Sequence, residues 1–321
     1  MKDFQKLISK FPQGKIFTLL FSILLIVFVI LFSFEIYLTN NITKLMLKSL
    51  PIEKNSYVQY PVLSNKYDPQ ISAKGAIVID ADSKVILYEK NSNLRSSTAS
   101  TAKIMTAITA LDKFDLNDVL TVKSATDEGA LIGVSEGEKL SFESLLYAML
   151  LPSGNDAAFT IAQNYIGGQE EFVSDMNKNA LNWHLESTHF VDPAGLTDEG
   201  DYSTPRELAE LAIIALNNPV FAKAVSTKDK IFTSVDGEYS YAVSNLNKLL
   251  GIDGVNGVKT GYTEGAGQVL VTSKFEPSVA REGEEQHRLI IVVMNSQDRF
   301  ADTQALLGLV SGNTTYLSIR P

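Results

Sequence analysis

Gly75-Ala-Ile-Val-Ile-Asp80, Ala81-Asp82-Ser83 and Lys84-Val-Ile-Leu-Tyr-Glu89 read as strand, tight turn, strand. Downstream the period changes. Ile104, Ile108 and Leu111 recur at i, i+4 and i+7, which predicts a helix over 101–114. Ser141 has the chemistry of an N-cap for a helix to Leu150, with Glu143 in its first turn. Residues 155–165 and 170–185 also read as helical. Thr204-Pro205-Arg206-Glu207 reads as a capping box with proline at the first helical position, opening a helix to about Leu216. Strands then return at 230–234 and 238–243 around an Asp236-Gly237 turn, and at 257–261, 268–273 and 288–295. A helix over Arg299–Val310 follows. Two strands, a long helical stretch, several antiparallel strands and a last helix make an α+β fold, not alternating βαβ.

Ahead of this globular stretch the character differs. Residues 1–15 hold Lys2, Lys6, Lys10 and Lys15 against Asp3, a net of +3, so the rest of the chain carries −12 within the overall balance of −9. An uncharged apolar run follows over 16–34. Nineteen residues at about 1.5 Å each span roughly 28 Å, close to a bilayer's hydrocarbon thickness. Its exit, Ser33-Phe34-Glu35-Ile36-Tyr37-Leu38, is bulky where signal cleavage needs small residues. The reading is an uncleaved transmembrane anchor at 16–38. The lysine-rich tip at 1–15 is then cytoplasmic and the rest extracytoplasmic. Residues 39–70 mix Asn, Ser, Lys and Pro and read as a linker, with a short amphipathic piece over 42–50.

Composition removes several chemistries. With no cysteine there is no disulfide, thiolate metal site, iron–sulfur cluster or cysteine nucleophile. The acidic balance argues against a general nucleic-acid binder. His184 and His189 are five apart, not the i, i+4 of one zinc-binding helix face, and only His287 remains. No metal and no cofactor is expected.

Three short motifs carry nucleophilic chemistry. Ser100-Thr-Ala-Lys103 puts a hydroxyl and an amine on one helix face, so Lys103 can take the Ser100 proton once burial lowers its pKa. Ser153-Gly154-Asn155 lies in a loop between two helices. Lys259-Thr260-Gly261 lies on a glycine-flanked strand that suits close approach of a ligand. Each alone has an ordinary reading: an N-cap serine, a loop, an edge strand. Ser311-Gly312-Asn313 repeats the second tripeptide where a helix terminator is expected. Gly133-Val-Ser-Glu-Gly137 fits the nucleophile-elbow pattern but lacks the strand and helix that an elbow needs.

The order and spacing of the three motifs resemble the penicillin-recognising serine enzymes. The resemblance extends to STAKIMTA (100–107), LLYAMLLPSGNDAA (145–158), HFVDPAGLTDEGDYSTPRELA (189–209) and GVNGVKTGYTEGAGQVLVT (254–272). These look like the low-molecular-mass D-alanyl-D-alanine carboxypeptidases, over roughly residues 70–312. The resemblance implies a β-lactamase/transpeptidase-like antiparallel sheet flanked by helices, with an inserted helical lobe, in a domain at 71–312 and a tail at 313–321. It implies Ser100 as nucleophile, Lys103 as base, Ser153 and Lys259 as a proton relay and Asn155 orienting Lys103. The backbone N–H groups of Ser100 and Tyr262 would form the oxyanion hole, in the strand that also carries Gly261. Thr260, Lys259 and Arg299 would bind the substrate carboxylate. The implied substrate is a peptidoglycan stem peptide, with β-lactams as covalent inhibitors. No Glu-x-x-Asn lies between Asn155 and Lys259, so a fast class A lactamase is not expected. A D,D-endopeptidase on cross-links and a non-catalytic sensing module are the other readings.

Overall fold

The computed structural model describes residues 24–37, 59–276 and 287–318. The chain divides into two compact units, Met1–Tyr57 and Val58–Pro321. In the first, helix α1 (Leu24–Tyr37) is apolar and exposed, with Phe28 and Phe32 stacked one turn apart. Among the described residues no single helix is long and apolar enough to cross a membrane. The expected anchor at 16–38 lies partly outside them, and the basic tip and the 42–50 piece lie wholly outside.

In the second unit, β1 (Gln59–Leu63) precedes β2 (Gly75–Asp80) and β3 (Ile86–Lys90), the hairpin expected at 75–89. The chain then leaves the sheet for a helical lobe. A 3-10 turn, Ala99–Ala102, leads into α2 (Lys103–Leu111). A small ribbon of β4 (Val119–Thr121) and β5 (Lys139–Ser141) follows, then α3 (Phe142–Leu150), α4 (Asn155–Asn164), α5 (Gly168–Asn182), α6 (Pro205–Leu216) and α7 (Pro219–Val225). A second ribbon, β6 (Asp229–Thr233) with β7 (Ser240–Ser244), leads back to β8 (Val255–Thr263), β9 (Gly267–Glu276) and β10 (His287–Ser296). Helix α8 (Arg299–Val310) and β11 (Thr314–Ser318) close the chain. The main sheet is five-stranded and antiparallel, in the order β3-β2-β10-β9-β8.

Alternation along the strands explains why they are apolar throughout. On β10, Ile290, Val292 and Met294 join the core under the helical lobe, while Leu289, Ile291 and Val293 pack on the face covered by Leu306, Leu309 and Val310 of α8. β2 does the same with Ile77 and Ile79 against Ala76 and Val78. A sheet covered on both faces needs apolar residues at odd and even positions alike.

Four local details depart from the sequence reading. The helix expected over 170–185 stops at Asn182, because His184 takes a left-handed backbone (φ 59°) and Leu185 N bonds back to Ala180 O at 2.8 Å. The capping box at Thr204 is half made. Thr204 Oγ1 accepts from Glu207 N at 3.1 Å, but the Glu207 carboxylate accepts from Ser187 N at 2.9 Å and from the Thr188 hydroxyl. The helix at 101 begins as the 3-10 turn and ends at Leu111 rather than at 114. Finally, β1 pairs with β11, Gln59 opposite Ser318 through Leu63 opposite Thr314, so a ribbon stands where the sequence reading places linker and tail.

Candidate active site

The 3-10 turn presents Ser100 at the head of α2, and the i, i+3 spacing brings Lys103 onto the same face. Lys103 is fully buried. Its Nζ stands 2.9 Å from Ser100 Oγ, 2.7 Å from Asn155 Oδ1 and 2.7 Å from Ala194 O. All three partners can accept, so an ammonium would donate to each; once deprotonated, the amine keeps two N–H groups for the carbonyls and offers its lone pair to the serine O–H. Burial lowers the Lys103 pKa to about 7, against opposing pulls from Asp192, Asp156 and Asp201.

The second wall comes from the turn into α4. Ser153 has a left-handed backbone (φ 69°), uncommon for a residue with a side chain. Its Oγ accepts from Lys259 Nζ at 2.9 Å. Asn155 opens α4 and is pinned from both ends, Oδ1 accepting from Lys103 and Nδ2 donating to Glu128 O at 2.8 Å. Asp156 next to it accepts from the backbone of Ile132 and Gly133, fixing the adjoining loop.

The third wall is β8. Lys259 is buried, and its Nζ also donates to Thr260 O at 3.0 Å. Burial, then the nearby charges of Lys103 and Arg299, hold its pKa well below the usual lysine range. β8 packs so closely on the Ser100 turn that a Cβ on Gly261 would stand 3.2 Å from Ser100 N and 3.1 Å from the Ala99 Cβ. Any side chain there would force these atoms apart by a few tenths of an ångström. Arg299, the first residue of α8, donates from Nη1 to Gly261 O at 2.6 Å. Burial lowers its pKa, with Asp298 acting the other way. Tyr262 is exposed beside it.

All nine residues singled out in the sequence therefore meet. Ser100, Ser153, Asn155, Thr260, Gly261, Tyr262 and Arg299 line one cleft of about 310 Å³. Lys103 and Lys259 stand behind its serines, each within 2.9 Å of one. A nucleophile, a buried lysine whose pKa is lowered to about 7 and a second serine–lysine pair around one cleft suit acyl transfer.

The other candidates separate from this cleft. Ser135 of the elbow-like pattern sits in the loop between β4 and β5, its N–H donating to Glu138, with neither strand before it nor helix after. The Ser311 tripeptide follows α8, where Asn313 bonds the backbone of Asn65 and Leu309. His189 bonds Gly200 O and stacks on Tyr202. Asp80, Asp82 and His287 place ligand atoms within 4.8 Å of one another. Burial and the Asp80 charge raise the Asp82 pKa, and His287, Arg288 and Lys84 offset this only in part.

Sequence reading missed the loop after His189. Ala194 contributes only its carbonyl, which no side-chain motif announces. Asp192 gathers the loop's N–H groups, and Asp198 accepts from Ser97 Oγ, Thr263 Oγ1 and Gly265 N, tying the nucleophile's flank to the β8–β9 turn. The Asp-Pro-Ala-Gly run is a turn signal that could have pointed to it.

Comparison with known proteins agrees with this geometry. The D-alanyl-D-alanine carboxypeptidase family matches residues 63–298. A D-alanyl-D-alanine carboxypeptidase of Bacillus subtilis, DacF, is 35% identical over 209 residues, which is 63% of this chain and 54% of that protein. The chain thus spans about half the length of that relative. DacB2 of Mycobacterium tuberculosis, also named a D-alanyl-D-alanine carboxypeptidase, is 36% identical over 231 residues, 70% of this chain and 76% of that one. The crystal structure of the Streptomyces K15 DD-transpeptidase superposes with a TM-score of 0.69 at 31% identity, covering 76% of this chain and 98% of that one.

Proposed function

The chain belongs to the D-alanyl-D-alanine carboxypeptidase family of serine peptidases, and from that premise we propose that it removes the terminal D-alanine from peptidoglycan stem pentapeptides through a Ser100 ester. The observation that carries this reading is Lys103 Nζ held 2.9 Å from Ser100 Oγ in a fully buried setting that lowers its pKa to about 7, so that a neutral amine is available to accept the serine proton.

Ser100 Oγ attacks the carbonyl carbon of the penultimate D-alanine as its proton passes to Lys103 Nζ. The oxyanion that forms takes hydrogen bonds from the backbone N–H groups of Ser100 and Tyr262, donors that typically contribute about 3 kcal/mol each. The C–N bond breaks and the departing amine takes a proton from Ser153, which Lys259 holds in place; Ser153 recovers the proton that Lys103 took from Ser100, so that proton leaves with the D-alanine and Lys103 is neutral again. Thr260, Lys259 and Arg299 hold the substrate carboxylate, and the exposed Tyr262 borders the entrance. Water activated by Lys103 then hydrolyses the ester, completing a two-step cycle. A β-lactam acylates Ser100 the same way and leaves slowly, since no class A glutamate is present.

The catalytic domain acts from outside the cell, tethered by the apolar stretch at 16–38. The lysines ahead of that stretch and the apolar, exposed α1 support a cell-membrane location with the N-terminus in the cytoplasm.

One observation favours a second activity, cleavage of D-Ala cross-links. Beyond Arg299 the cleft continues into a cavity of about 690 Å³ bounded by Leu246, Tyr262, Phe300 and Lys248. A single D-alanine needs no such room, whereas a leaving group that carries a second stem peptide does.

Fluorescent penicillin tests the core reading. Wild type should be labelled covalently and Ser100→Ala should not; equal labelling overturns the assignment. Comparing D-alanine release from a pentapeptide with cleavage of cross-linked dimers decides between the two activities.

A further inference from the structure

Behind the base stands a buried carboxyl pair that no motif announces. The loop over 191–201 carries the Ala194 carbonyl, the third partner of Lys103. Asp192 organises that loop. Its Oδ1 accepts from Ala194 N and Gly195 N, both at 2.7 Å, its Oδ2 from Thr197 N at 3.0 Å, and Leu196 N reaches both oxygens. Four consecutive N–H groups converge on one carboxylate. Gly195 is held at φ +72°, where a Cβ would come within 2.0 Å of Ala99 O, so the loop lies directly against the nucleophile's turn.

Asp201 closes the loop. Its Oδ1 accepts from Val191 N at 2.9 Å. Its Oδ2 is buried without a hydrogen-bond partner, and the acidic group acting on Asp201 is the Asp192 carboxylate. Asp201 is 0% exposed and Asp192 7% exposed. Two neighbouring carboxylates shielded from water repel each other, which favours one proton on the pair. Asp192, with four N–H groups on it, keeps its charge. Asp201, with support only from the Val191 and Thr197 backbone, carries the proton. The electrostatics agree: burial and then the Asp192 charge raise the Asp201 pKa to about 8, whereas for Asp192 the penalty of burial is outweighed by its backbone and Thr197 hydrogen bonds and the pKa falls.

We propose that Asp192 and Asp201 act as one singly protonated pair that positions the Ala194 carbonyl on Lys103, and that loss of the shared proton above neutral pH disables the base. These are positioning residues, since they touch the loop that orients Lys103 and not the substrate. Loss of the proton has two consequences of the same sign. The carboxylates repel and the loop shifts off Lys103. The added negative charge also favours the ammonium form of Lys103, which cannot accept a proton. The charged groups facing Lys103 are Asp192, Asp201 and Asp156, with Lys259 across the cleft; Asp192 is the one facing Asp201.

The proposal rests on Lys103 being the base. The test is the second-order rate of Ser100 acylation by fluorescent penicillin, against pH, with the full chain in detergent. Asp201→Asn replaces the acid O–H by an amide N–H that can still donate to Asp192, but cannot ionise. It should acylate within about threefold of wild type at neutral pH and lack the fall that wild type shows above about pH 8, while Asp201→Ala loses tenfold or more. Asp192→Asn should lose about a hundredfold. Equal damage from Asn and Ala at 201, or the same alkaline fall in Asp201→Asn as in wild type, overturns the proposal. Should the variants not fold, the wild-type infrared spectrum decides. A protonated-carboxyl band must be present at neutral pH and vanish on the alkaline side, and its absence at neutral pH is equally fatal. Failure of the underlying reading looks different: Lys103→Ala would then acylate like wild type.

Discussion

Lys103 and Lys259 approach the cleft from different walls and each ends 2.9 Å from a serine hydroxyl, Ser100 for the first and Ser153 for the second. Both are buried, and the Lys103 charge is one of the influences that keep the Lys259 pKa low. Two ammonium groups in one desolvated cleft would repel, so the arrangement favours fewer protons than lysines. That is the condition for a lysine to serve as a base at neutral pH.

The pH dependence follows from Lys103. Its pKa in the folded chain is about 7, and below that value the amine is protonated. Acylation by penicillin should therefore rise with pH through an inflection near 7, measured as the labelling rate at subsaturating β-lactam. A flat profile between pH 5 and 8 would exclude Lys103 as the group that takes the proton.

The same shift is a statement about stability. In the unfolded chain Lys103 regains the usual lysine value, so between about pH 7 and that value the unfolded state holds one more proton than the folded state. The Lys103 contribution to stability therefore rises with pH across that window, and its penalty is full below about pH 7. Lys103→Met keeps the bulk and removes the ionisable group. It should abolish acylation and raise the melting temperature at pH 6, by an amount reflecting a few kcal/mol. A melting temperature below that of wild type would show that the hydrogen bonds to Asn155 and Ala194 outweigh the cost of burial.

Much of this site was legible in the sequence, for reasons that differ by residue. Ser100 and Lys103 are three apart at a helix head, so helical geometry alone pairs them. Arg299 came from the family resemblance, and in the structure it opens the helix that packs on β9 and β10, its side chain reaching across to the Gly261 carbonyl of β8. The β1–β11 ribbon was not legible. Its strands are about 250 residues apart, contain Pro61 and short polar runs, and find each other only once both chain ends lie beside the same fold. The Ala194 carbonyl was hidden for another reason: every residue has a carbonyl, and only the tertiary path of the loop aims this one at a base.

Gly261 should tolerate no side chain. A Cβ there would stand 3.1 Å from Ala99 Cβ and 3.2 Å from both Ser100 N and Thr98 O. Two of these are backbone atoms that cannot swing away. Gly261→Ala should push β8 from the Ser100 turn, lowering acylation ten- to a hundredfold. Because Gly261 lies on the edge strand β8, the fold should survive with a loss of about 1–3 kcal/mol. Acylation kinetics paired with a thermal melt check both halves, and wild-type kinetics would mean the strand can retreat without moving the oxyanion donors.

Arg299 separates recognition from chemistry. Its guanidinium is anchored on Gly261 O and lies about 5.1 Å from the Phe300 ring, and the residue lines the cleft. It makes no hydrogen bond to Ser100, Lys103 or Ser153, so its removal leaves the base and relay intact. What it offers is a positive charge for the substrate's terminal carboxylate, and a charge-assisted hydrogen bond of this kind is worth roughly 1.5–3 kcal/mol. Arg299→Ala should therefore lower kcat/KM for a D-Ala-D-Ala peptide by about ten- to a hundredfold. On a substrate whose terminal carboxylate is amidated the variant and wild type should be nearly equal, both slow, because there is no charge left to lose. If Arg299→Ala depresses the two substrates by the same factor, the arginine supports the strand and not the carboxylate, and the carboxylate site must then be built from Thr260 and Lys259 alone.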